Sequence, residues 1–290
     1  MHVVTSAHGN QGKLLVPRLL ATGLAVRACV RSEASANSLR AAGVAEVVVG
    51  DLGEPGMAER AVEGAAAVYH IGPTADPRER EIGFAMIDAA RAHRVEHFVF
   101  SSVLHAIITD LVQHEIKRDV EEHLIGSGLE FTILQPTNYM LPLRMRPVFS
   151  EGVYRLPWSI ERRQSLVDIG DVVEVAATVL LDPRRHAGAT YELVGAERLT
   201  GHDLQRIISD VLGRPIGLIE IDAESYLDAW FGDRDRSQLQ HQARVLRALS
   251  ARYTSHDFVG NPNVLTWLLG RPPTSFAAFV ETQACIFKKE

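Results

Sequence analysis

The sequence predicts an α/β protein: a doubly wound parallel sheet of the Rossmann type with a smaller, mostly helical C-terminal lobe. Three observations carry this reading. Through residues 1–136, short apolar runs alternate with helical patterns at the spacing of βαβ units. The runs are nearly continuously apolar, as strands are when helices cover both faces of a sheet. A glycine-bearing turn joins the first run to the first helix.

Taken in order, "HVVTS" (2–6) is the first strand and residues 12–21 the first helix, with Leu14, Leu15, Leu19 and Leu20 as its apolar face. "AVRACV" (25–30) is the second strand, followed by the short helix "SANSLRAAG" (35–43), closed by Gly43. "AEVVVG" (45–50) is the third strand, "GMAERAVEG" (56–64) a helix and "AAVYHIG" (66–72) the fourth strand. A helix over 79–93 leads to the fifth strand, "HFVFSS" (97–102). The amphipathic helix "HEIKRDVEEHLIGSG" (114–128) ends at Gly126 or Gly128, and "FTILQP" (131–136) is a sixth strand stopped by Pro136.

Beyond Pro136 the regularity breaks. "NYMLPLRMRPVFSEGVYRLPWS" (138–159) carries prolines and aromatics without a sustained period and reads as loops over a binding crevice. "DIGDVVEVAATVLLDP" (168–183) is a strong helix and "ATYELVG" (189–195) a strand, both expected to return to the main sheet. From residue 199 the chain reads as mostly helical, with Tyr226, Trp230 and Phe231 supplying an apolar lid or a helix–helix contact. The expected division is a dinucleotide-binding domain over 1–150, rejoined by 165–195, and a substrate-binding lobe over 151–290.

With 290 residues the chain can bury a large core, and 46% hydrophobic and 23% charged residues without a repeat argue for a folded globular protein. The net charge of −6 and the lack of a basic stripe argue against a nucleic-acid partner. Cys29 and Cys285, far apart in apolar stretches, read as buried free thiols in a reducing compartment. The first strand begins almost at Met1, and the longest apolar run is too short to span a bilayer. A soluble cytoplasmic protein is therefore expected, single or as a homodimer.

The turn "VTSAHGNQG" (4–12) places Ser6, Gly9 and Gly12 at three-residue spacing between a strand and a helix. Gly9 would let a pyrophosphate approach the backbone, Gly12 would let helix and sheet pack closely, and the helix N-terminus favours an anion. Ser6 stands where the first glycine of such a turn is expected, and a plain strand-to-helix turn is the competing reading. The cofactor-binding candidates are thus Ser6, His8, Gly9, Asn10, Gln11 and Gly12. Arg31 closes the second strand, where an arginine suits a 2′-phosphate and an acid suits the ribose hydroxyls of NAD. NADPH is therefore preferred over NADH, with nearby Glu33 the residue that would serve NAD. Asp51 is placed to meet the adenine, and Pro73 and Thr74 to line the nicotinamide.

These pieces, with "GDL" (50–52), "HFVFSSVLH" (97–105), "SGLEFTILQPTNYM" (127–140) and "LLGRPPTSFAAFVE" (268–281), resemble the NmrA-like group of atypical short-chain dehydrogenases/reductases. The resemblance covers nearly the whole chain. It implies an NAD(P)-binding fold and either an NADPH-dependent reductase of quinones, triphenylmethane dyes or phenylpropanoid-type substrates, or a cofactor-binding redox sensor acting through a protein partner.

Ordinary short-chain dehydrogenases use a Tyr-x-x-x-Lys pair with an upstream serine. Lys117 fits the lysine and Ser101 or Ser102 the serine, but Gln113 stands in the tyrosine position. Glutamine exchanges no proton at neutral pH. The expected chemistry is therefore hydride transfer to a small-molecule acceptor that needs little acid catalysis, with His114 or His105 as the proton donor. Helical spacing offers another role for Lys117, an exposed pair with Glu121 at i,i+4. Three segments follow the strand ends, and His105, Asn138 and Tyr139 are the candidates for touching substrate. No His, Cys and carboxylate spacing suggests a metal.

Overall fold

The computed structural model describes residues 1–74, 76–232 and 239–288, the side chains of Trp230 and Phe231 excepted. The chain divides into two units. The first comprises residues 1–108, 113–136 and 169–192, and the second 109–112, 137–168 and 193–290.

The first unit is built on β1 (His2–Val4), α1 (Gly12–Ala21), β2 (Val26–Val30), α2 (Glu33–Ala41), β3 (Glu46–Val49), α3 (Met57–Val62) and β4 (Ala67–Ile71). It continues through α4 (Glu79–Ala92), β5 (His97–Ser101), α5 (Val112–Ile125) and β6 (Phe131–Pro136). Strands pair in the order β3-β2-β1-β4-β5-β6, every pairing parallel, with β10 (Ala189–Leu193) added beside β6. This is the doubly wound order, and the order in which the chain adds strands reverses between β1 and β4, where such sheets bind ligands. The sequence-predicted fold is the observed one.

Continuous burial explains the apolar strands: Val3, Val68, Phe98, Phe100 and Ile133 pack against Ile82, Met86 and Ile87 of α4 and Val120 and Leu124 of α5. On α1 the buried face is Leu15, Val16 and Leu19, whereas Leu14, assigned to that face by periodicity, is 48% exposed. The helix α7 (Ile169–Leu181) packs on α1 and along β4, β5 and β6. Its unbroken apolar run is consistent with this double contact.

The second unit contains β7 (Asn138–Tyr139), α6 (Pro142–Glu151), β8 (Val153–Leu156), β9 (Gln164–Val167), β11 (Arg198–Leu199), α8 (Gly201–Leu212) and β12 (Gly217–Glu220). The helices α9 (Ala223–Phe231), α10 (Gln240–Ser255), α11 (Asn263–Leu269) and α12 (Phe276–Phe287) follow. Two small sheets, β7-β9-β11 and β8-β12, lie among them. Residues 138–159 are therefore not loops. Pro142 starts α6 at a position where its missing N–H costs nothing, and Gly152 ends it at φ 72°. Burial of Met145 and Val148 carries the helix past Pro147, which obscured the period in the sequence.

Cys29 is buried and its thiol is pushed up to about 12 by that burial, but Cys285 is exposed on α12. The apolar residues around Cys285 on α12 misled the reading of burial. No helix among the described residues is long and apolar enough to cross a membrane.

Candidate cofactor and active site

The turn between β1 and α1 is shaped for close approach. Ser6 adopts φ 47°, the left-handed conformation that favours glycine, and its hydroxyl donates to the Ile71 carbonyl at 2.9 Å. A Cβ at Gly12 would lie 2.5 Å from the Ala7 backbone, so no side chain fits there. At Gly9 the nearest obstacle is the Ser6 carbonyl at 3.1 Å, and His8, Gly9 and Asn10 form an exposed rim. No side chain caps the N-terminus of α1. First-turn N–H groups without intrahelical partners are what a phosphate would engage. These residues fit a pyrophosphate.

Gln11, the remaining loop candidate, turns inward. Its Oε1 accepts from the Tyr69 hydroxyl at 2.6 Å and its Nε2 donates to Ser101 Oγ at 2.9 Å. Its side chain therefore braces the loop against β4 and β5.

At the end of β2, Arg31 is exposed and makes no hydrogen bond or ion pair among the described residues. Ser32 caps α2 by accepting from Ser35 N–H at 3.3 Å, and Glu33 is held by Arg40 at 3.0 Å. After β3, Asp51 accepts from Gly53 N–H and pairs with Arg78, both at 2.8 Å. The Arg78 guanidinium holds the Asp51 carboxyl below the usual carboxylate range. Pro73 is half-buried in the segment after β4, where its carbonyl accepts from Asp76 N–H at 2.9 Å.

Lys117 does not form the exposed pair that its i,i+4 spacing allowed. It is buried, with Nζ 2.7 Å from Glu79 Oε1, 3.1 Å from the Ser101 carbonyl, and 5.0 Å from the centroid of the Phe100 ring. Gly72 lies directly against the pair: a Cβ there would be 2.7 Å from Glu79 Oε1 and 3.0 Å from Lys117 Nζ. The glycine lets the chain after β4 pass close to the buried charges. Beside it, His70 is fully buried, bonded through Nδ1 to Thr5 Oγ1 at 3.2 Å. Its pKa falls to about 3, first through desolvation and then through the charge of Lys117.

Ser102 donates to Glu121, which also accepts from Gln135 Nε2 at 2.8 Å. Burial raises the Glu121 pKa against the opposing hydrogen bonds from Ser102 and Gln135. His114 is buried and bonds through Nδ1 to the His105 carbonyl at 3.0 Å. His105 is half-buried at φ 55°, its Nδ1 3.7 Å from Glu192. Gln113, in the position of the missing tyrosine, is half-buried. Tyr69 does not stand in as a ready acid, since burial raises its pKa further above neutrality.

The first unit thus links the glycine turn, through Gln11, to Ser101 and Lys117 by hydrogen bonds, and Lys117 to Glu79 by an ion pair at 2.7 Å. Asn138 and Tyr139 belong to the second unit. There Asn138 donates to Gln164 Oε1 at 3.1 Å and accepts from the Tyr253 hydroxyl at 3.2 Å, while Tyr139 is half-buried in β7. Sequence reasoning missed Glu79, Tyr69 and Gln135. Glu79 opens a helix, where an acid is ordinarily a solvated partner of the dipole, and nothing local signals its burial.

Comparison with known proteins agrees with this architecture. The chain is 29% identical to the NAD(P)H azoreductase of Xenophilus azovorans over 294 residues, 99% of each chain. The triphenylmethane reductase of Citrobacter sp., solved with NADP(H), superposes with a TM-score of 0.82 at 22% identity, covering 98% of this chain and 100% of that one. Nmra, a negative transcriptional regulator solved with NAD, superposes at 0.81 with 18% identity over 99% and 96% of the two chains. The NmrA-like family matches residues 2–257. By that match and by its parallel sheet and glycine turn, the chain belongs to the NmrA-like family.

Proposed function

We propose that this protein is an NADPH-dependent reductase that passes a hydride to a quinone-like or other conjugated, electron-poor small molecule. The observation that carries the reading is the turn after β1. It is closed to side chains at Gly12, held left-handed at Ser6 and followed by an uncapped helix. Arg31 supports the 2′-phosphate, because its guanidinium is exposed, makes no hydrogen bond or close ion pair among the described residues and only adds its charge to the field at Asp51, while Glu33 is tied to Arg40.

Bound NADPH supplies the hydride. Lys117 pairs by charge with Glu79 and donates one N–H to the Ser101 carbonyl, which leaves N–H donors for a ribose hydroxyl. The half-exposed His105, its carbonyl anchored by His114, would give a proton to the reduced acceptor. Gln113 supplies none, which suits an acceptor whose electron deficiency drives the transfer.

The test is a fluorescence titration with NADPH and NADH, followed by turnover with quinone and cationic-dye acceptors. Tighter NADPH binding with acceptor-dependent oxidation supports the proposal. Binding without turnover replaces it with a cofactor-dependent regulator, the reading that Gln113 also permits. No binding of either nucleotide overturns both.

A further inference from the structure

Arg78, the residue that precedes α4, joins segments that the strand order keeps apart. Its Nη2 donates to Asp51 Oδ2 at 2.8 Å and to Asp76 Oδ2 at 3.2 Å, and its Nε donates to Asp76 Oδ1 at 3.3 Å. Asp51 follows β3 and Arg78 follows β4, yet β2 and β1 lie between those strands in the sheet. The bond from Arg78 to Asp51 therefore runs past the carboxyl ends of β2 and β1, the edge that carries Arg31 and the glycine turn.

The two carboxylates fix the plane of the guanidinium, because charged, paired N–H donors hold an arginine in one orientation. Beneath it is Gly53, where a Cβ would lie 2.6 Å from Nη1 and 3.0 Å from Cζ of Arg78, so the glycine makes room for the cation. The Arg78 side chain is nonetheless 46% exposed. A flat cation is thus held against a glycine with almost half of its surface open to a ligand.

The chemistry of the dinucleotide says what that surface meets. In NADPH the 2′-phosphate and the adenine stand on adjacent carbons of one ribose. If Arg31 holds the phosphate, the base lies next to it. Arg31 is close enough to Asp51 for its charge to help lower the aspartate's pKa, behind the larger effects of Arg78 and the Gly53 N–H. Arg78 and its aspartates are therefore the neighbours that the base would find.

We propose that Arg78 binds the adenine of the cofactor, its guanidinium plane stacked on the base while Asp51 and Asp76 hold it in place. Arginine planes stack on bases and other aromatic faces. Asp51, expected from the sequence to meet the adenine itself, acts here through Arg78. The inference rests on the nucleotide-binding reading above and adds to it a contact common to NADPH and NADH.

Fluorescence titration of the full chain with NADPH and with NADH compares the unaltered protein with Arg78→Ala and Arg78→Lys. Exposed ion pairs add little stability, so both variants should fold. Arg78→Ala is expected to weaken both nucleotides by a similar factor, roughly 3- to 10-fold, since both carry the base. Arg78→Lys keeps the charge and can still pair with Asp51, but it has no plane to stack and should weaken both likewise. A loss confined to NADPH would assign Arg78 to the phosphate instead. That result, an Arg78→Ala chain within about twofold of the original affinity for both nucleotides, or full recovery in Arg78→Lys each overturns the proposal and leaves the reductase reading standing. An unaltered chain that binds neither nucleotide overturns that reading and this inference with it.

Discussion

Replacing Lys117 with methionine keeps the length of the buried stem and removes only the charge. Lys117 and Glu79 have side chains only 4% and 2% exposed and approach to 2.7 Å. Neither carboxylate oxygen of Glu79 has a hydrogen-bond partner, so the carboxylate depends on the charge of the ammonium for compensation. Removing one member of such a pair leaves a buried charge alone, at a cost of about 3–5 kcal/mol. For a domain of 150–250 residues this corresponds to a fall in Tm of roughly 6–20 °C. Urea unfolding followed by circular dichroism gives the free energy, and Lys117→Met with Glu79→Gln closes a double-mutant cycle. The double variant is expected to regain at least half of the loss, because a neutral amide is cheaper to bury than a carboxylate. A single-variant cost below about 1 kcal/mol, the value of an exposed pair, would refute the reasoning. So would a double variant no more stable than Lys117→Met.

Three further outcomes follow from the same geometry. Burial pushes the His70 pKa down to about 3 in the fold from an ordinary histidine value of 6.5, so the unfolded chain takes up a proton that the fold refuses. Its contribution is complete above about pH 6.5 and is lost on acidification towards 3, at about 1.4 kcal/mol per pH unit; His70→Asn should flatten the stability–pH slope by that amount between pH 4 and 6. Gly12→Ala places a Cβ 2.5 Å from the Ala7 backbone and should destabilise by about 1–3 kcal/mol, measured by thermal unfolding, and weaken nucleotide binding. Gly9→Ala, with its nearest contact at 3.1 Å, should be milder in stability. Arg31→Ala should weaken NADPH roughly 10- to 100-fold and leave NADH nearly unchanged, the direct fluorescence titration distinguishing the two.

The sequence by itself determined the parallel sheet and the glycine turn. Both are local in origin: unbroken apolar runs require two covered faces, and the turn needs glycine where backbone crowds backbone, as Gly12 does against Ala7. The serine in a glycine position was legible too, although only the fold shows that Ser6 is left-handed and bonded to the Ile71 carbonyl. What the tertiary structure decided were the partners. The i,i+4 spacing of Lys117 and Glu121 is a helix-surface rule, and it gave way because α5 turns Lys117 inward to Glu79. Glu121 instead receives Ser102 and Gln135. The pairing of Glu79 with Lys117, or of Arg78 with Asp51, is a property of side chains distant or differently patterned in the chain. Which of these side chains meet is decided by how the elements pack, which no window of sequence records.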